Sequence, residues 1–142
     1  MRFWTYSTGA GKSRRQWIVA GVDTPAGGEV AFALQAQGVL TKITEFFGAK
    51  EIRIGDAQFD AEWFVTTNRP VEFAAALLPV VRQKLSALRA AGAKGTYSRK
   101  EGWVCYVEQG SFANADAVAR LEAALPVLAD LADIVDVCAA RS

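Results

Sequence analysis

Bulky apolar residues recur at every second position in the front of this chain and at every third or fourth position towards its end. That pattern predicts strands first and helices later. Arg2 to Ser7 is aromatic and β-prone, Gln16 to Val22 is a second apolar run, and Glu29 to Gln35 alternates Val30, Phe32 and Leu34 with Ala31 and Ala33. Thr8-Gly-Ala-Gly-Lys-Ser and Asp23-Thr-Pro-Ala-Gly-Gly lie between these runs and are rich in turn formers. The first 37 residues therefore read as a β-rich meander.

A short helix is expected from about Val39 to Phe47, with Val39, Leu40, Ile43, Phe46 and Phe47 as its apolar stripe and Gly48 just past its end. Glu51 to Ile54 begins another strand. The segment Gly55-Asp56-Ala57-Gln58-Phe59-Asp60-Ala61-Glu62-Trp63-Phe64-Val65 places Phe59, Ala61, Trp63 and Val65 on one face at period two, so it reads as a turn feeding a half-buried strand. Asn68 can cap a helix whose first turn holds Pro70. Pro79 would remove a hydrogen bond from a helix interior, which predicts two helices or a kink near Leu78. The second piece, Val80 to Ala91, buries Val81, Leu85 and Leu88. Thr96 to Arg99 and Trp103 to Glu108 form a hairpin about Lys100-Glu-Gly. From Ala115 to about Ala139, Val118, Leu121, Leu125, Leu128, Ala132 and Val135 recur at helical spacing, with Pro126 expected to bend or divide the helix. The expected fold is α+β: one domain over residues 1–142, with an antiparallel sheet of about six or seven strands packed against two longer helical segments, plus one short helix.

Composition narrows the chemistry. A chain of 142 residues can bury about two-thirds of its unfolded surface without staples. Sixteen basic residues against 15 acidic give no general pull towards nucleic acid or an anionic membrane. The longest apolar run, Phe73 to Val81, is nine residues and contains a proline, whereas a transmembrane helix needs about 20. The N-terminus lacks the apolar stretch of a signal peptide, so a soluble, cytoplasmic protein is expected. Cys105 and Cys138 are far apart and read as free apolar residues. Histidine is absent, which removes Ser-His-Asp and Cys-His nucleophile systems and ordinary His-ligated metal sites. No cofactor, metal site or catalytic residue is expected, while carboxylate, Lys or Tyr chemistry stays formally open.

Four features invite a functional reading. Gly9-Ala-Gly-Lys12-Ser13 resembles the tail of a phosphate-binding loop, but Tyr6 stands where a glycine is needed and β-prone sequence follows where a helix should begin. It reads as a hairpin loop. Asp56, Asp60 and Glu62 could share acid and base roles beside a concave pocket. Without such a pocket they are turn residues, Asp56 bonding the backbone of Ala57-Gln58-Phe59. Lys12, Arg14 and Arg15 lie near Trp4, Tyr6 and Trp17, a combination that can stack bases, form a solvated loop, or meet a protein partner. Finally, Trp103, Cys105 and Val107 oppose Val104 and Tyr106 across one strand, and Trp17 and Val19 oppose Ile18 and Val22 across another. Such two-faced strands are either covered on both sides or present an apolar face to another chain.

Gly55-Asp56-x-x-Phe59-Asp60-x-x-Trp63-x-Val65, then Asn68-x-Pro70, Leu77-Leu78 with a proline break and a Gly102-Trp103 hairpin before a long helix, resembles a widespread uncharacterised bacterial α+β domain. The likeness covers roughly Val39 to Val135. Trp63 stands for that family's usual Phe, Arg69 for the Asp before Pro70, and Pro79 follows Leu78 directly. The resemblance implies no activity and no catalytic residues. The reading that follows is a non-catalytic module for a protein partner or a homodimer, through the aromatic sheet face or the Arg14, Arg15 and Trp17 region. The alternative is a small-molecule-binding protein or small enzyme using Asp56 and Asp60.

Overall fold

The computed structural model describes residues 1–37 and 50–141. The aromatic and β-branched runs form β1 (Arg2–Thr8), β2 (Arg15–Asp23), β3 (Phe32–Ala36), β4 (Lys50–Ile52), β5 (Trp63–Thr67), β6 (Thr96–Lys100) and β7 (Trp103–Gln109). Every pairing is antiparallel, in the order β1-β2-β7-β6-β3-β5-β4. Four α-helices and two short 3-10 turns accompany the strands among the described residues; the α-helices are α1 (Ala57–Glu62), α2 (Pro70–Ala76), α3 (Pro79–Ala90) and α4 (Ala115–Ala140). This is the expected α+β architecture with a seven-stranded antiparallel sheet. The helix expected over Val39 to Phe47, with Gly48 after it, lies outside the described residues.

The meander reading is corrected. β2 and β3 follow each other in sequence but are not neighbours, because the β6–β7 hairpin inserts between them. Alternation reports which way side chains point and carries no information about which strand lies alongside. The connection from β2 to β3 must therefore cross the end of that hairpin, where Arg99 holds it. The residue is only 3% exposed, and its guanidinium donates to the carbonyls of Thr24 (3.0 Å), Gly28 (2.7 Å) and Val30 (2.6 Å) and to the Thr24 hydroxyl (3.1 Å). Thr24 in turn donates from its amide and hydroxyl to the Gly102 carbonyl in the hairpin turn.

One face of the sheet carries the core. Ile18, Ala20, Phe32, Leu34, Val65, Tyr97, Val104 and Tyr106 meet Phe73 and Leu77 of α2, Val81 and Leu85 of α3, and the length of α4. The buried stripe of α4 runs through Ala117, Leu121, Ala124, Leu128, Leu131, Val135 and Cys138. Leu121, Leu128 and Val135 are common to the expected stripe. The alternate positions fall on the neighbouring Ala117 and Ala124, whose small side chains allow a close approach to the sheet. α4 runs unbroken through Pro126. Pro79 does divide the preceding helix, with Leu78 extended between α2 and α3.

Two local expectations change. Residues 57–62 are helical, and the strand starts only at Trp63. Phe59 and Trp63 lie four apart, which suits one side of a helical turn as well as one face of a strand, and their rings stack at 5.8 Å. Asn68 does not cap α2, whose N-cap is Arg69. The Asn68 amide instead accepts from the Ala31 N–H (2.9 Å) and donates to the Glu29 carbonyl (2.7 Å), tying β5 to the approach to β3.

Candidate functional site

Because paired residues share a face, the strand registers place Arg2, Trp4, Tyr6, Trp17, Val19, Gly21, Trp103, Cys105 and Val107 together on the face opposite the core cluster. The described helices α1 to α4 all contribute to the core side. On this second face, Gly21 acts as a floor. A Cβ there would lie 2.7 Å from Trp4 and 3.2 Å from Trp103, so only glycine lets the two rings meet above β2. They do so edge to face at 5.7 Å. One step along, Tyr6 stacks on Trp17 at 6.3 Å, and the Trp17 indole N–H donates to the Thr8 hydroxyl at 2.8 Å. The Arg2 guanidinium sits 5.7 Å from the centre of the Trp4 ring. Tyr6 remains 43% exposed, while Trp4, Trp17 and Trp103 are half-buried. The result is an ordered aromatic surface whose members hold one another in place.

Cys105 lies in this floor. Burial pushes its thiol from an ordinary 9.0 up to about 11, so it stays protonated and unreactive near neutrality. The Gly9-to-Ser13 stretch forms the turn between β1 and β2, with a single 3-10 turn at Gly11–Ser13. Arg14 leaves that turn exposed and donates to the Ser7 hydroxyl at 3.3 Å, and Arg15 opens β2 opposite Thr8. Arg15 therefore joins Trp17 at one end of the aromatic face, whereas Arg14 turns to Ser7, which pairs with Gln16 on the other face of the sheet.

Asp56 and Asp60 lie beside α1 and β5, towards the opposite edge of the sheet. Asp56 caps α1, accepting from the Phe59 N–H at 3.2 Å, and its other oxygen meets the Arg82 guanidinium at 3.3 Å. Asp60 reaches back to accept from the amides of Ile54 (2.8 Å) and Gly55 (3.1 Å), closing the turn at which Gly55 adopts a φ of 96°. Glu62 accepts from the Ser86 hydroxyl at 3.4 Å. A cleft of about 420 Å³ between the end of α3 and the start of α4 is lined by Leu88, Ala91, Ala93, Asp116, Ala119, Arg120 and Ala123, so none of the three carboxylates faces it. Of the two charged residues in its wall, Arg120 is already engaged, in a bidentate pair with Glu108 at 2.8 and 3.1 Å. Among the described residues, no group of three or more cysteine or acidic side chains is placed to hold a metal ion, and no helix is long and apolar enough to cross a membrane.

Sequence reasoning named Trp4, Tyr6 and Trp17 but missed Gly21 and the arrival of Trp103 beside them. An isolated glycine inside an apolar strand was the available signal, since it marks a close approach by another group. The β2–β7 pairing that delivers Trp103 has no local signature.

Neither a family model nor a curated protein sequence matches the chain. The fold is similar to the crystal structure of the mycobacterial trehalose monomycolate transport factor A, TtfA, with a TM-score of 0.59 over 94% of this chain and 71% of that one. Sequence identity between the two is 11%, so the likeness is one of fold.

Proposed function

We propose that this domain is a non-catalytic binding module that engages a protein surface through the aromatic face of β1, β2 and β7, with Arg15 at its rim. The observation that carries this is the floor at Gly21, where two tryptophans from different strands are held edge to face yet left partly open to solvent. Ordered aromatics with arginine beside them are the composition of interface hot spots. A protein of similar fold is a transport factor, which is in keeping with a binding role. Ligand or enzymatic use of Asp56 and Asp60 draws no support, because both carboxylates are committed to backbone amides and Asp56 also to Arg82. Membership of the family with the Gly-Asp-x-x-Phe-Asp signature belongs to the same proposal, supported by the turn and cap those residues build.

Affinity capture from a lysate of the source cells, quantified by mass spectrometry, tests this reading. A partner retained by the wild type should be lost with Trp17→Ser and with Arg15→Glu, both folded by circular dichroism. Identical capture by all three proteins would sink the assignment of this face.

A further inference from the structure

The two edges of the sheet are built differently. β4 is three residues long and carries Lys50 and Glu51, the short, charged form in which proteins blunt an edge. β1 is seven residues long, pairs with β2 without a bulge from Arg2 to Thr8, contains no proline or lysine, and is exposed along almost its whole length. Its outer row of amides and carbonyls is a template for another strand.

We infer that two copies of this chain join edge to edge through β1, antiparallel about a two-fold axis at Thr5. The inference rests on the reading of the aromatic face as an interaction surface and names an occupant beside it, a second copy. The strand is complementary to itself in this register. Thr5 meets Thr5 of the other copy, Trp4 meets Tyr6, Phe3 meets Ser7, and Arg2 meets Thr8, so no like charges stand directly opposite. The register works whichever alternate residues turn their backbone groups outward, because each pair joins two odd or two even positions. Trp4 and Tyr6 lie on the face that also carries Trp17 and Trp103, so the pairing makes the two aromatic floors continuous across the axis. A net charge of +1 per chain offers little repulsion between copies.

Sedimentation of the full chain across protein concentration tests the association, and cross-linking tests the register. The wild type should sediment as a dimer, and Thr5→Lys, which sets two like charges face to face at the axis, should shift it to monomer while keeping its circular dichroism. Under mild oxidation Thr5→Cys should form a disulfide-linked dimer. Ser7→Cys alone should not, whereas a mixture of Ser7→Cys and Phe3→Cys should cross-link. The wild type, with Cys105 and Cys138, is the control. The near-isosteric Thr5→Cys keeps the test decisive should Thr5→Lys fail to fold. A wild type that stays monomeric throughout, or a dimer that Thr5→Lys leaves intact and Thr5→Cys does not link, overturns the inference. Should a monomeric wild type still lose a captured protein on Trp17→Ser, the dimer falls while the interaction surface stands.

Discussion

Tyr97 and Tyr106 lie side by side in the core with ring centres 4.9 Å apart, yet their hydroxyls have opposite fortunes. That of Tyr106 accepts from the Gly95 N–H at 3.0 Å and donates to Glu108 at 3.1 Å. That of Tyr97 is buried without a hydrogen-bond partner among the described residues. An unpartnered buried hydroxyl costs about 1–3 kcal/mol in desolvation, and a bonded one leaves its partner stranded when removed. Tyr97→Phe is therefore expected to raise the urea midpoint, by about 1 kcal/mol in stability, and Tyr106→Phe to lower it by about 1–2 kcal/mol. Burial, first, and the neighbouring Glu108 push both hydroxyls above their ordinary 10.0. Their contribution to stability is thus full below about pH 10 and is lost as the pH rises beyond it, because the unfolded chain releases its protons first. Each Phe variant should flatten that alkaline loss in a pH series of unfolding curves. Single-residue roles were partly legible in the sequence. Asp56 was legible as a bond to the amides after it, because that geometry is local. Asp60 was not, since its carboxylate turns back across Gly55 to partners that only the folded turn supplies.

Elements followed the sequence where a boundary had a covalent cause and departed from it where periods were ambiguous. Pro79 marked the break between α2 and α3 because a proline cannot donate within a helix. α1 was misread because six residues are too few to separate period two from the i, i+4 spacing of Phe59 and Trp63. The extent of α4 was legible, but its Asn114 cap, which accepts from the amides of Asp116 and Ala117, was not, nor was its continuity through Pro126. Pro126 leaves the carbonyl of Glu122 without its helical donor, and its ring lies on the exposed side of α4. Pro126→Ala should therefore disturb no packing. Alanine is favoured over proline in a helix interior by about 3 kcal/mol. The freer unfolded chain of the variant offsets about 1 kcal/mol of that. The expected net gain is about 2 kcal/mol in thermal or urea unfolding, with helix content unchanged or higher.

At the scale of the whole molecule, the fold class was legible and the strand order was not. Propensity and alternation act within a strand, whereas the insertion of β6–β7 between β2 and β3 depends on contacts far apart in sequence. Arg99 is where that insertion is secured, by a planar fork of donors to several carbonyls of the crossing loop. Lysine carries the charge but cannot reproduce the fork. Arg99→Lys is expected to cost about 3 kcal/mol, measured by urea unfolding, and to raise hydrogen exchange at Thr24 to Val30. The inserted hairpin also sets an order on biosynthesis. A chain leaving the ribosome presents Trp4, Tyr6 and Trp17 long before Trp103 exists to stand beside them, and β2 must wait with one side open until the closing residues emerge. The nascent front half is thus a natural client for chaperones, and a stalled or truncated product would be far stickier than the finished domain.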